Sequence, residues 1–215
     1  MIFIYLSCLI IIILCFNKFL LNKNILVNET GDVHQKFASK SSVPLTGGIF
    51  IFLGYLYFLK NDIFSFIFFS FIMLALGILS DFKLIKSAKK KLLSQIFLII
   101  FYVIFNDVQI DDTRIIFLDS LLKNDYINYF FVTFCILIII NGSNFIDGMN
   151  TLCVGYYLII ISTIYYLELK DIIVIKDISI FYTLFVLLFF FILNLKNKFF
   201  LGDSGAYLLG FSFSI

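Results

Sequence analysis

Seven stretches of this chain, at approximately 2–21, 46–60, 63–80, 92–106, 127–143, 152–168 and 178–195, are apolar over about the length a helix needs to cross a membrane. A bilayer core of about 30 Å takes about 20 helical residues, whose backbone groups must bond within their own segment. An eighth stretch begins near Ala206 and reaches only about half that length by Ile215. This repetition excludes a water-soluble domain. Composition agrees, with 62% hydrophobic and 14% charged residues against about half and a quarter in soluble domains. The expected fold is all-α: a polytopic transmembrane helical bundle of about seven full spans plus a partial eighth. We read 1–215 as a single domain that lacks its C-terminal part. Met1 to Leu14 has neither a basic region nor a cleavage site after it, so the first stretch reads as a retained span rather than a signal peptide.

Threading these spans alternates the loops between two sides, and lysine and arginine then test the assignment independently. One side receives Lys18, Lys23, Lys36, Lys40, Lys83, Lys86, Lys89, Lys90, Lys91, Lys196 and Lys198. The other receives Lys60, Arg114, Lys123, Lys170 and Lys176 with most of the acids, among them Asp107, Asp111, Asp112, Asp119 and Asp125. The first side is expected to be cytoplasmic, which puts the N-terminus outside. Cys8, Cys15, Cys135 and Cys153 lie in or beside apolar runs without metal-ligand spacing, and are read as small buried apolar residues.

Polar side chains gather in four loops on the lysine-rich side. Loop one carries His34, Lys36 and Lys40 before V-P-L-T-G-G (43–48), where Pro44 would fix a turn and Gly47 and Gly48 would allow close backbone approach. Those basic residues suit a nucleotide or lipid phosphate, but the positive-inside bias alone accounts for them. Loop two carries G-I-L-S-D (77–81), and five lysines follow Asp81 within ten residues. A carboxylate there can hold Mg²⁺ while lysines attract a diphosphate; equally, a helix end with a basic cluster attracts anionic lipid.

Loop three, N-G-S-N-F-I-D-G-M-N (141–150), is harder to explain away. Placing a carboxylate at membrane depth costs about 2.5–3.5 kcal/mol, so such a group is a functional hypothesis by default. Asn144, Asp147 and Asn150 follow at spacings of three and would share one helical face. The competing reading is an interhelical hydrogen-bond clamp. Loop four, F-L-G-D-S-G-A-Y-L-L-G-F (200–211), sets Asp203 among Gly202, Ser204 and Gly205, which suits backbone amides and a carboxylate meeting a metal-bound phosphate.

In order along the chain, these four motifs, with K-L-L-S-Q (91–95) after the second, resemble those of the polyprenyl-phosphate N-acetylhexosamine-1-phosphate transferases, glycosyltransferase family 4. The resemblance implies a helical bundle with its active site at the cytoplasmic face of the bacterial inner membrane. It implies transfer of a sugar-1-phosphate from a UDP-N-acetylhexosamine to undecaprenyl or another polyprenyl phosphate, with release of UMP. Such a step initiates cell-envelope glycans such as peptidoglycan or lipopolysaccharide. It implies Mg²⁺, with Mn²⁺ as a substitute, held by Asp203 and Asp81, and catalytic roles for Asp81 and Asp147. His34, Lys36, Lys91, Gln95, Asn144 and Asn150 would contact substrate. The partners implied are the UDP-sugar, the polyprenyl phosphate and membrane lipids, with a homodimer left open and no nucleic acid.

Two residues depart from that pattern. Ser80 stands where the family has the first of two paired aspartates, and Asn150 stands where some members have an aspartate. Two other readings therefore stay beside the enzyme. One is an inactive truncated homologue that binds lipid phosphate. The other is a transporter, which the lack of internal repeats and the placing of acids at span ends disfavour.

Overall fold

The computed structural model describes residues 2–29, 42–56, 64–148, 151–173 and 180–215. His34, Lys36, Lys40 and Asn150 lie outside them. The described chain runs α1 (Ile2–Lys23), β1 (Val27–Glu29), β2 (Ser42–Pro44), α2 (Gly47–Leu56), α3 (Phe64–Asp81), α4 (Ala88–Phe105), α5 (Ile116–Leu122), α6 (Asp125–Ile146), α7 (Leu152–Leu169), α8 (Ile180–Leu195) and α9 (Gly202–Ser212).

The all-α polytopic bundle is borne out. Among the described residues four helices are long and apolar enough to cross a membrane: Ile4–Lys23 within α1, then α3, α6 and α7. The helices α2 and α8 are apolar but shorter. The eighteen residues of α4 begin with Lys89, Lys90 and Lys91 in the first turn, which makes that end polar. The count of seven spans plus one, and the outward N-terminus, thus rest on the sequence.

Helix α9 organises the bundle. Two apolar clusters meet on it: Ala206, Leu208 and Leu209 belong to one drawn also from α1, α2, α3, α7 and α8, while Tyr207 and Phe211 belong to one drawn from α3, α4 and α6. All its residues from Ser204 to Phe211 are buried. A helix that is apolar all round belongs in the middle of a structure. Close approach to it is bought with glycine: a Cβ on Gly48 would lie 2.7 Å from Gly205 N, and one on Gly77 would overlap Ser204 Cα. The predicted close approach at Gly47 and Gly48 is real, and the backbone that approaches is this chain's own.

Outward-facing positions show the reverse pattern. Phe64, Phe97, Phe105 and Phe130 are all at least two-thirds exposed, as expected where the surroundings are lipid tails. Cys8 and Cys15 are exposed and Cys135 is half-buried; only Cys153 is buried. The expectation that all four are interior fails because helical pitch turns most of them outward.

One feature is not helical. Val27 pairs with Pro44, and Glu29 with Ser42, in a short antiparallel ladder. Pro44 therefore ends a strand rather than fixing a turn. Its carbonyl accepts from Phe200 N at 2.8 Å, and Phe200 O accepts from Gly47 N at 2.9 Å, so the segment before α9 is laced to the first loop. Thr46 donates to Asn17 Oδ1 at 2.7 Å, which ties α1 to the same corner.

Candidate active site

The C-terminal ends of α3, α6 and α8 and the N-terminal ends of α4 and α9 converge at one end of the bundle. They enclose a pocket of about 420 Å³ lined by, among others, Ser80, Asp81, Lys83, Lys91, Asn144, Asp147, Asn194 and Asp203. Each is placed there because its helix stops at that level. Lys83, Lys86, Lys89, Lys90 and Lys91 cluster at this end, whereas Asp107, Asp111, Asp112 and Asp119 lie between α4 and α6, and Asp125 begins α6, at the opposite end.

The first turn of α9 is the centre of the site. A helix N-terminus presents unpaired amides and a positive dipole end, and is normally capped by its own preceding side chain. Here Leu201 holds the cap position and supplies no side-chain acceptor. Asp81 caps the helix from α3 instead: Asp203 N donates to its Oδ1 at 2.8 Å and Ser204 N to its Oδ2 at 3.1 Å. Gly202 has φ +72°, and a Cβ there would lie 2.8 Å from Asp81 Oδ2. Only glycine allows both that dihedral and that approach.

Asp203 itself is a quarter exposed and forms an ion pair with Lys91, Nζ to Oδ2 at 2.8 Å. The Ser80 hydroxyl donates to the same oxygen. Asp147 lies just beyond the end of α6. Burial holds its carboxyl well above the usual carboxylate range, and the negative charges of Asp81 and Asp203 push the same way, against a pull from the Gly202 amide. Three carboxylates, those of Asp81, Asp147 and Asp203, thus meet at the first turn of α9, and Lys91 pairs with the last of them.

Of the candidates from the sequence, Asp81, Lys91, Asn144, Asp147 and Asp203 line one pocket. Asn144 and Asp147 share it as their spacing predicts. Gln95 is placed differently: one turn beyond Lys91, it is buried between α4 and α6, and its Oε1 accepts from Asn141 Nδ2 at 3.1 Å. His34, Lys36 and Asn150 are outside the described residues. The sequence reading missed Asn194, whose Nδ2 donates to Phe199 O and whose Oδ1 accepts from Thr151 N, both at 2.9 Å. A lone amide at the end of the run 178–195 was the available signal. Lys83, one of the five lysines expected to attract a diphosphate, also lines the pocket.

The donor chemistry fits a magnesium ion. Among the described residues no three His, Cys, Asp or Glu side chains form a closed metal cage. Mg²⁺ seldom uses such a cage, taking one or two carboxylates and completing its shell with water and substrate phosphates. Asp203 and Asp147 supply hard oxygens beside a pocket of about 420 Å³, while both Asp81 oxygens already accept backbone amides.

Residues 63–215 match the family model described as glycosyl transferase family 4. The chain is also similar to a probable undecaprenyl-phosphate N-acetylglucosaminyl 1-phosphate transferase of Bacillus subtilis (strain 168). The two are 30% identical over 191 residues, covering 85% of this chain and 51% of that protein. The chain spans about half the length of the curated relative it matches.

Proposed function

Because the chain belongs to glycosyl transferase family 4, we propose that it transfers an N-acetylhexosamine-1-phosphate from a UDP-sugar to a polyprenyl phosphate and releases UMP. The observation that carries this reading is the meeting of Asp203, Asp147 and Asp81 with Lys91 and Lys83 in a pocket where the helices end. The bulk of the chain is apolar helix, so an acceptor with a prenyl tail can stay in the bilayer and present its phosphate there.

The reaction joins a lipid phosphate oxygen to the sugar-bearing phosphorus and breaks the bond from that phosphorus to UMP. Both reactants are anions, so positioning and charge neutralisation carry most of the catalysis. Bound Mg²⁺, held by Asp203, would supply neutralising charge to the diphosphate. Lys91 and Lys83 add positive charge on the same wall. Asp147, whose carboxyl is held above the ordinary range, is placed to take the proton a phosphate monoester still carries near its second pKa of about 6. Asn144 offers an amide to the nucleotide side. His34, Lys36 and Asn150 keep their assigned contacts with substrate as part of this proposal.

The proposal places the lysine-rich end and the pocket at the cytoplasmic face of a bacterial inner membrane, with the N-terminus outside. It assigns the product to an early step of cell-envelope glycan synthesis. The test is UMP release from UDP-N-acetylhexosamines with undecaprenyl phosphate, with and without Mg²⁺, in membranes that contain the chain or its Asp203→Ala variant. Metal-dependent release that the variant loses supports the transferase. A second reading, favoured by Ser80, is a homologue that binds lipid phosphate without turnover. It predicts acceptor binding that depends on Lys91, with no UMP formed by the correctly folded chain.

A further inference from the structure

Asp203 is fixed at two levels. Its backbone is set by Asp81, which accepts the amides of Asp203 and Ser204. Its side chain is set separately: both the Lys91 ammonium, at 2.8 Å, and the Ser80 hydroxyl meet Oδ2. Ser80 is 6% exposed and comes from the last turn of α3. Its short side chain reaches Asp203 because Gly77, one turn earlier on α3, lets the two backbones touch at Ser204. The Tyr207 hydroxyl, one turn along α9, interacts with both Ser80 and Asp203.

We propose that Ser80 is a positioning residue that sets the orientation of the Asp203 carboxylate for a divalent cation. The role rests on the reading of Asp203 as a cation ligand. A hydroxyl is suited to it because it donates, orienting the carboxylate without removing its charge. An ionised aspartate at the same place accepts hydrogen bonds but has none to donate, so it could not orient Asp203 Oδ2 as the hydroxyl does. Ser80→Asp therefore does not improve this chain, although it would recreate the paired acids of the family it resembles. A partner of this kind, which acts on a ligand and not on the metal, commonly changes metal affinity as much as a weaker ligand does.

The test uses the full chain in detergent or nanodiscs with Mn²⁺ as the probe, free Mn²⁺ being followed by electron paramagnetic resonance. Wild type is compared with Asp203→Ala, Ser80→Thr, Ser80→Val and Ser80→Asp, each checked for helix content and elution. Threonine and valine have nearly the same shape and differ in the hydroxyl, so a loss of packing affects both. We expect Ser80→Val to weaken Mn²⁺ binding by about 10–100-fold while Ser80→Thr stays within about threefold of wild type. Ser80→Asp is expected to bind no more tightly than wild type. Equal binding by Ser80→Val and wild type, with binding lost in Asp203→Ala, would overturn the role of Ser80 and leave Asp203 a ligand. Equal losses in the threonine and valine variants, or tighter binding by Ser80→Asp, would overturn it too. Unchanged binding by Asp203→Ala would refute the reading of Asp203 itself, and the proposal with it.

Discussion

Replacing Gly77 by alanine should move the first turn of α9 and so open the site from a residue that does not itself line the pocket. The added Cβ would lie 2.6 Å from Ser204 N and 2.9 Å from Asp203 O, and closer still to Ser204 Cα. Ordinary contact begins near 3.4 Å, so α3 and α9 must separate by at least roughly 0.8 Å, the difference between 3.4 and 2.6 Å at Ser204 N, and by more to clear Ser204 Cα. The atoms met are backbone, and no rotamer relieves the clash. Overpacking of this kind costs about 1–3 kcal/mol. The same movement stretches the Asp81 bonds to Asp203 N and Ser204 N, now 2.8 and 3.1 Å, toward or past the limit of a useful hydrogen bond. A misplacement approaching 1 Å at a positioned group can cost about 10²-fold in rate. Three measurements check this: thermal unfolding in detergent, amide exchange at residues 203–204, and UMP release. Gly142→Ala is the control, since nothing lies within 4 Å of a Cβ there and the site is within α6. It should be neutral or stabilise by up to about 1 kcal/mol. A folded Gly77→Ala protein with unchanged unfolding temperature, exchange and turnover would refute the reasoning.

Lys91→Gln should lower turnover by about 10²–10³-fold. Because the ion pair with Asp203 is about a quarter exposed, its loss should change stability by less than about 1 kcal/mol, so an unfolding temperature that falls with the rate would contradict the assignment. Asn194→Ala removes a bond from Phe199 O and another from Thr151 N; we expect a loss of about 1–3 kcal/mol in a denaturant or thermal series. Asp147 gives a pH dependence: its folded-state pKa is raised, so the fold binds that proton more tightly than the unfolded chain does. Its stabilising contribution is complete below about pH 4 and is lost as pH rises through the folded value. The metal-free Asp147→Asn variant should therefore unfold at a higher temperature than wild type at pH 8, by a margin that shrinks toward pH 4. A margin that does not vary with pH would rule this out.

Much of the site could be read from the chain because a membrane separates the few polar residues from a largely apolar background. Asp81, Asp147 and Asp203 stood out at the ends of apolar runs, and the alternation of spans brings those ends to one side. Gln95 shows the limit of that logic. One turn from Lys91, it reads in the sequence as part of the site, yet the approach of α6 buries it against Asn141. Asn194 shows the converse: its two bonds reach Phe199 and Thr151, and nothing in its immediate sequence distinguishes it from an interfacial amide.

The sequence by itself determined the all-helical polytopic class and the level at which the polar residues lie, because bilayer thickness converts hydropathy directly into helix length and position. It also carried the family, through motifs that keep their order. Only the tertiary structure decided what each polar group is bonded to. That Asp81 caps a helix more than a hundred residues away, that Ser80 meets Asp203, and that the short α9 is the central helix all depend on glycine contacts between helices remote in sequence. Such contacts are set by how surfaces pack in three dimensions, and helical periodicity along one segment carries no record of the partner it will meet.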